Sequence, residues 1–333
     1  MKKIKGKNYM LKLENILEAR ELIRKYIHKT PIISSRSINK LIGGEIYFKC
    51  ENLQKTGSFK VRGAFNNILS NLDKNREKGV IAFSSGNHAQ AVAFAALTTN
   101  IKATIIMPKS SNPIKLSATR DYGANVILYG KDSLETEQKV IEIVEEQHFN
   151  LIHPFDALET IAGQGTIGLE IMEDLPNIDE IYIPIGGGGL ISGIAMSVKS
   201  LSPKIKVIGV QPEKSCSMLK SLNNNKISIV ESCNTIADGL VARKPGNNTF
   251  NIVKKYVDDI ITVSEEEIKE AVLLLLLRTK LLVEPSGAVS LAGILKNKTN
   301  LKKRRVVILS GGNCDTAVLE NILKQFNKSI TKK

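Results

Sequence analysis

"EIYIPIGGGGLISGIA", residues 180–195, reads as a β-branched and aromatic run, four consecutive glycines and then an apolar helix. A strand that feeds a helix through a tight loop is the repeating unit of a parallel sheet covered on both faces. The strand signal recurs along the chain. It appears in "EIYFKC" (45–50), "GVIAF" (79–83), "KATIIM" (102–107), "ANVILY" (124–129), "IKVIGV" (205–210), "DIITV" (259–263) and "RVVILS" (305–310). Helical stretches separate most of them, such as 134–147 with Leu134, Val140, Ile141 and Val144, or 265–282. The alternation predicts an α/β fold of open, mostly parallel sheets with helices on both faces. No repeat or low-complexity linker divides the chain, so a second domain is expected as an insertion between strands. "VLLLLL" at 272–277 is short and ends in Arg278, which predicts a buried helix and no membrane span.

A chain of 333 residues holds two domains or one large α/β unit. Its 42% hydrophobic content and lack of Trp predict a core of Ile, Leu, Val and Ala. The start, "MKKIKGKNYMLKLENILEAR", has the charges of a signal peptide without an apolar region behind them, so a cytoplasmic protein with no membrane partner is expected. The net charge of +14 raises nucleic acid as a partner. The lysines, however, are spread along the chain, clustering only at "KKRR" (302–305) and the two ends, and no aromatics are interleaved for base stacking. Small anionic ligands fit this pattern better, and a basic nucleic-acid-binding protein stands as the alternative of another class. Cys50, Cys216, Cys233 and Cys314 show no CxxC spacing and the four histidines no HExxH pair, so no metal site is expected.

In open parallel sheets ligands bind beyond the carboxyl ends of the strands. The glycines at 186–189 would expose a row of backbone N–H groups at a positive helix end, which suits a phosphate. They form no dinucleotide fingerprint, since the third glycine would fall at Ile191 or Ser192, and no P-loop ending follows. A tight strand–helix turn is the plainer reading, but four glycines cost more chain entropy than such a turn needs. "AFSSGNHAQAVAFAA" (82–96) offers Ser84, Ser85, Gly86, Asn87 and His88 between a strand and a helix, either for a carboxylate or simply as a helix cap. "ILSGGNCD" (308–315) places Ser310 at a strand end, where Gly311 and Gly312 permit a close approach; alone it reads as a turn.

"KTGSFKVRGAFN" (55–66) puts Lys60 in the first turn of a helix, the pole that repels a cation. Alone, Lys60 reads as a solvated surface lysine. Beside a phosphate cradle and a carboxylate loop, a lysine whose ammonium form is disfavoured meets the needs of pyridoxal 5′-phosphate chemistry.

"TGSFKVRGA", "SSGNHAQ", "IAGQGTIGLEI", "GGGGLISGIA", "TIADGL" and "LSGGN" resemble, in order and from about residue 14 to 325, the fold-type II pyridoxal-phosphate enzymes of the threonine dehydratase and serine racemase family. The resemblance implies two tryptophan synthase β-subunit-like domains with the cofactor in the cleft between them. Residues 1–54 plus 151–333 would form the large domain and 55–150 the small one. It implies that Lys60 holds the cofactor as a Schiff base, Phe59 packs against its ring and Asn87 meets its 3′-oxygen. Gly186, Gly187, Gly188, Gly189 and Leu190 would hold the phosphate, and Ser310 would face the pyridine nitrogen. Ser84, Ser85, Gly86, Asn87 and His88 would receive the substrate carboxylate.

Lys60 would then act as general base on L-threonine or L-serine, giving 2-oxobutanoate or pyruvate with ammonia. In the racemases a serine at the position of Ser85 is the base on the opposite ring face, so Ser85 is a second catalytic candidate. Racemases with a divalent-metal site carry acids just after the "GV" strand, where this chain has Gln211 and Ser217, and no such site is expected. "HPFD", with Asp156, leans toward dehydratase, while "VEPSGA" (283–288) also occurs in racemase-like relatives. The chain ends soon after "LSGGN", which resembles the short degradative form. A homodimer or homotetramer is expected.

Overall fold

The computed structural model describes residues 11–297 and 303–330. The basic N-terminal decapeptide, and Lys302 of the "KKRR" cluster, lie outside the described residues. The strands are β1 (Ile32–Ser34), β2 (Glu45–Lys49), β3 (Val80–Phe83), β4 (Ala103–Met107), β5 (Asn125–Leu128), β6 (Asn150–Leu151), β7 (Glu180–Pro184), β8 (Lys206–Pro212), β9 (Asp259–Val263) and β10 (Arg304–Ile308). They form a six-stranded sheet in the order β1-β2-β10-β7-β8-β9 and a four-stranded sheet in the order β5-β4-β3-β6. Every pairing is parallel except β1 with β2. The chain leaves the large sheet after β2, builds the small sheet from β3 to β6, and returns at β7. This is the α/β class that the alternation predicts.

Both faces of the central strands are apolar, as parallel strands covered by helices require. Val306 and Ile308 pack with Ile181, Ile183, Ile191 and Ile194 on one face. Val307 and Leu309 pack with Phe48, Val210 and Val289 on the other. The eight strand runs are all present. β1 and β6 are not foreseen, being three and two residues long. The 272–277 run differs from expectation: it lies in the Glu265–Thr279 helix with Val272 and Leu275 buried but Leu277 42% exposed. Only one stripe of that helix meets the core, so the run is amphipathic in place. Among the described residues no helix is long and apolar enough to cross a membrane.

Two of the glycine-bearing motifs explain each other as packing. The Lys60–Ser70 helix crosses the Leu158–Asp174 helix so closely that a Cβ on Gly163 would lie 2.6 Å from Arg62 O and 2.7 Å from Gly63 Cα. Beside this crossing sits a buried ion cluster. Arg62 gives Nε and Nη2 to Glu51 at 2.8 and 2.9 Å, and Nη1 and Nη2 to Glu170 at 2.6 and 3.0 Å. Lys49 adds Nζ to Glu170 at 2.5 Å and to Thr30 O at 2.7 Å. Removing one partner from such a cluster leaves an uncompensated charge, so it fixes the Lys60 helix against β2 and the 158–174 helix.

Candidate active site

A cleft enclosing about 1170 Å³, open solvent included, lies at the carboxyl ends of β3, β7 and β10. Phe59, Lys60, Ser84 to His88, Gly186 to Leu190 and Ser310 all line it. Four segments far apart in sequence thus come to one place, because the loops after parallel strands emerge on the same side of a sheet.

The glycine loop runs from β7 into the Gly189–Leu201 helix. Among the described residues, the N–H groups of Gly186 to Leu190 donate to no protein acceptor. They sit at the positive end of a helix, largely buried, so an anion is the natural partner. The glycines also have a packing reason, as a tight strand–helix turn would. A Cβ on Gly187 would lie 2.5 Å from the Phe155 ring, and one on Gly189 would lie 2.8 Å from Phe155 O. Gly188 has φ +99°, and a Cβ on Gly186 would press on Leu240. Close packing beneath the loop and bare amides above it are two demands on the same four residues. Asp156 supports the arrangement by accepting from the N–H groups of Asn247, Asn248 and Thr249 at 2.9, 2.9 and 3.1 Å. Thr249 Oγ1 in turn donates to Gly187 O at 2.7 Å. A phosphate-bearing cofactor fits this cradle, since it would supply the acceptors that five amides lack.

Lys60 opens the Lys60–Ser70 helix and donates Nζ to Pro154 O at 2.9 Å. The same Nζ stands 5.2 Å from the centre of the Phe59 ring. The side chain is half-buried on the cleft wall, and its ammonium is desolvated. Burial pulls its pKa down to about 8, with Glu284 opposing the shift. Burial is therefore the dominant cause, beyond the helix pole that the sequence indicates. A lysine near 8 is substantially neutral in mildly alkaline solution and can serve as nucleophile or base.

The loop after β3 has a similar set of free amides: the N–H groups of Ser85, Asn87 and His88 meet no protein acceptor among the described residues. Ser85 is exposed to the cleft. The His88 ring is buried, with Nε2 2.8 Å from Ile152 O. Burial, reinforced by Lys60, holds its pKa down to about 3, so the ring is neutral and His88 meets an anion only through its backbone N–H. Asn87 donates Nδ2 to Glu284 Oε1 at 2.6 Å and accepts at Oδ1 from Asn313 Nδ2 at 2.9 Å. Ser310 follows β10, and its carbonyl accepts from Phe59 N at 3.1 Å, which ties the ring of Phe59 to that strand end.

Several cleft residues escape sequence reasoning. Phe155, Lys115, Asp238 and Glu284 line it. Lys115 pairs with Asp238, while Arg243 pairs with Asp132 and Lys244 with Glu137, each at 3.4 Å. These ion pairs join helices of the small sheet to the 238–244 segment. Glu284 lies within "VEPSGA", but nothing in a single sequence marks its carboxyl as facing a cleft. Gln211 is buried and spends its side chain on backbone, donating to Ser215 O at 3.2 Å and Ile185 O at 3.4 Å and accepting from Leu219 N at 3.0 Å. Among the described residues no cluster of three or more His, Cys, Asp or Glu is placed to hold a metal.

Comparison with known proteins agrees with this geometry. Residues 23–312 match the sequence profile described as "Pyridoxal-phosphate dependent enzyme". The chain is similar to an L-threonine ammonia-lyase of Thermotoga maritima, with 46% identity across 97% of this chain and 80% of the relative. It is similar to the catabolic L-threonine dehydratase TdcB of Escherichia coli K12, with 44% identity across 93% of this chain and 95% of the relative. The crystal structure of serine racemase from Dictyostelium discoideum superposes with a TM-score of 0.86 at 45% identity, covering 92% of this chain and 99% of that one.

Proposed function

The chain belongs to the family of pyridoxal-phosphate dependent enzymes, and from that premise we propose that it is an L-threonine ammonia-lyase that also accepts L-serine. The observation that carries the reading is a desolvated lysine in the same cleft as an unpartnered row of amides. The bound cofactor supplies the electron sink that makes the Cα–H of an amino acid acidic and its β-hydroxyl a leaving group. Lys60 Nζ would hold the cofactor and, as a neutral amine, would take the Cα proton. The amides of Gly186 to Leu190 hold the phosphate. Phe59 would pack against the cofactor ring, Asn87 would meet its 3′-oxygen, and Ser310 would offer its nitrogen a hydroxyl instead of a carboxylate. The amides of Ser85, Asn87 and His88, with the hydroxyls of Ser84 and Ser85 and the backbone of Gly86, orient the substrate carboxylate.

The division into a large domain (1–54 plus 151–333) and a small one (55–150) suits a cleft that closes over substrate and excludes water. A cytoplasmic homodimer or homotetramer is part of the same proposal. A second reading, serine racemase, is favoured by the exposed Ser85 beside the cleft and by the 45% identity to a racemase. The deciding assay measures 2-oxobutanoate from L-threonine and D-serine from L-serine in parallel. The lyase reading expects the first to dominate, and a faster yield of D-serine overturns it.

A further inference from the structure

Glu284 immediately precedes the Pro285–Lys296 helix, where a side chain ordinarily caps its own helix. It makes no such cap. Its carboxyl turns into the cleft instead, only 2% exposed, into space that Gly311 leaves free of a side chain. Oε1 accepts from Asn87, while Oε2 is buried without a partner.

The hydrogen bonds around it run in one direction only. Thr56 O is an acceptor, so the Asn313 group 2.8 Å from it is the Nδ2 amide. That amide also donates to Asn87 Oδ1 at 2.9 Å. Asn87 Nδ2 must then face Glu284 Oε1, which has to be an acceptor. Any proton on the carboxyl therefore belongs to Oε2. A buried carboxylate with one neutral donor and no ion pair among the described residues would be costly. The Lys115 ammonium beside it is held by Asp238.

We propose that Glu284 is a positioning residue for the cofactor ring: an un-ionised acid that accepts from Asn87 through Oε1 and carries its proton on the buried, unpartnered Oε2. It fixes the Asn87 amide in one orientation, leaving one N–H of that amide for the cofactor oxygen. This rests on the reading of Asn87 given above. Burial, with Asp238 adding to it, pushes the Glu284 pKa up to about 8 against the pull of Lys115, the Asn87 bond and Lys60.

Glu284→Gln and Glu284→Ala separate this role from that of an anion. A glutamine amide reproduces both the acceptor and the donor of a protonated acid, and it cannot replace a carboxylate. With cofactor stripped from the holoenzyme and titrated back, Glu284→Gln should hold it within about threefold of the parent. Glu284→Ala should bind about tenfold or more weakly, the loss expected when a buried hydrogen bond is broken. Infrared spectra at neutral pH should show a carboxylic-acid carbonyl band in the parent that Glu284→Gln lacks. Equal weakening in Gln and Ala, or absence of a Glu284-dependent band, overturns the proposal. Both readouts need no L-threonine, so a protein inactive on threonine would count against the proposed function and leave this test intact.

Discussion

Arg62 and Lys60 stand two residues apart on one helix, both as desolvated cations, and their surroundings push them in opposite directions. Arg62 meets four carboxylate oxygens from Glu51 and Glu170, and its hold on its proton is strengthened despite complete burial. Lys60 meets one carbonyl and an aromatic ring, and its pKa falls to about 8. Burial alone does not set the behaviour of a charge; the number of opposite charges buried with it does. The fully paired face of the helix is architecture, and the unpaired face is available for chemistry.

The largest effect on this contrast should come from Arg62→Met. It strands Glu51 and Glu170 beside Lys49 alone, and denaturant unfolding should show a loss of about 3–5 kcal/mol. Lys60→Met should leave the stability of the cofactor-free protein unchanged or higher, since it removes an ill-compensated charge. The pH dependence tests the same point. Between the folded value of about 8 and the ordinary 10.5, the unfolded chain binds more protons at Lys60 than the folded one. The parent should therefore gain stability with rising pH across that window, by at most about 1.4 kcal/mol per pH unit, relative to Lys60→Met. Equal slopes would mean that Lys60 is solvated.

Smaller changes probe the cradle. Gly187→Ala drives a methyl into the Phe155 ring and should cost about 1–3 kcal/mol of overpacking, with weaker cofactor binding measured by titration. Asp156→Asn keeps one acceptor for the 247–249 amides and should cost about 1 kcal/mol by thermal unfolding. A larger loss would show that the cap and the glycine loop act as one unit.

The contrast also marks what a single sequence can and cannot reveal. The eight longer strands announce themselves as β-branched runs, the central ones because parallel strands buried on both faces must be apolar throughout, although the edge strand β5 is largely exposed. β1 and β6 do not, being too short for any periodicity. The cleft loops are visible because each is an unbroken run of Gly, Ser or Asn between a strand and the segment after it, a signal local in sequence. The causes of their behaviour are not local. The Pro154 carbonyl that receives Lys60 lies 94 residues away, and the Glu284 acid under Asn87 lies 197 residues away. The helix pole and the neighbouring loops mark Lys60 in the sequence, whereas its desolvation comes from packing that only the tertiary structure assembles.

The most direct test of the account is the formation of 2-oxobutanoate from L-threonine by the cofactor-loaded protein and by Lys60→Ala side by side. Steady production of 2-oxobutanoate with equal ammonia is expected in the parent, and a loss of at least about a thousandfold in the variant. A Lys60→Ala protein that keeps the parent rate would contradict it.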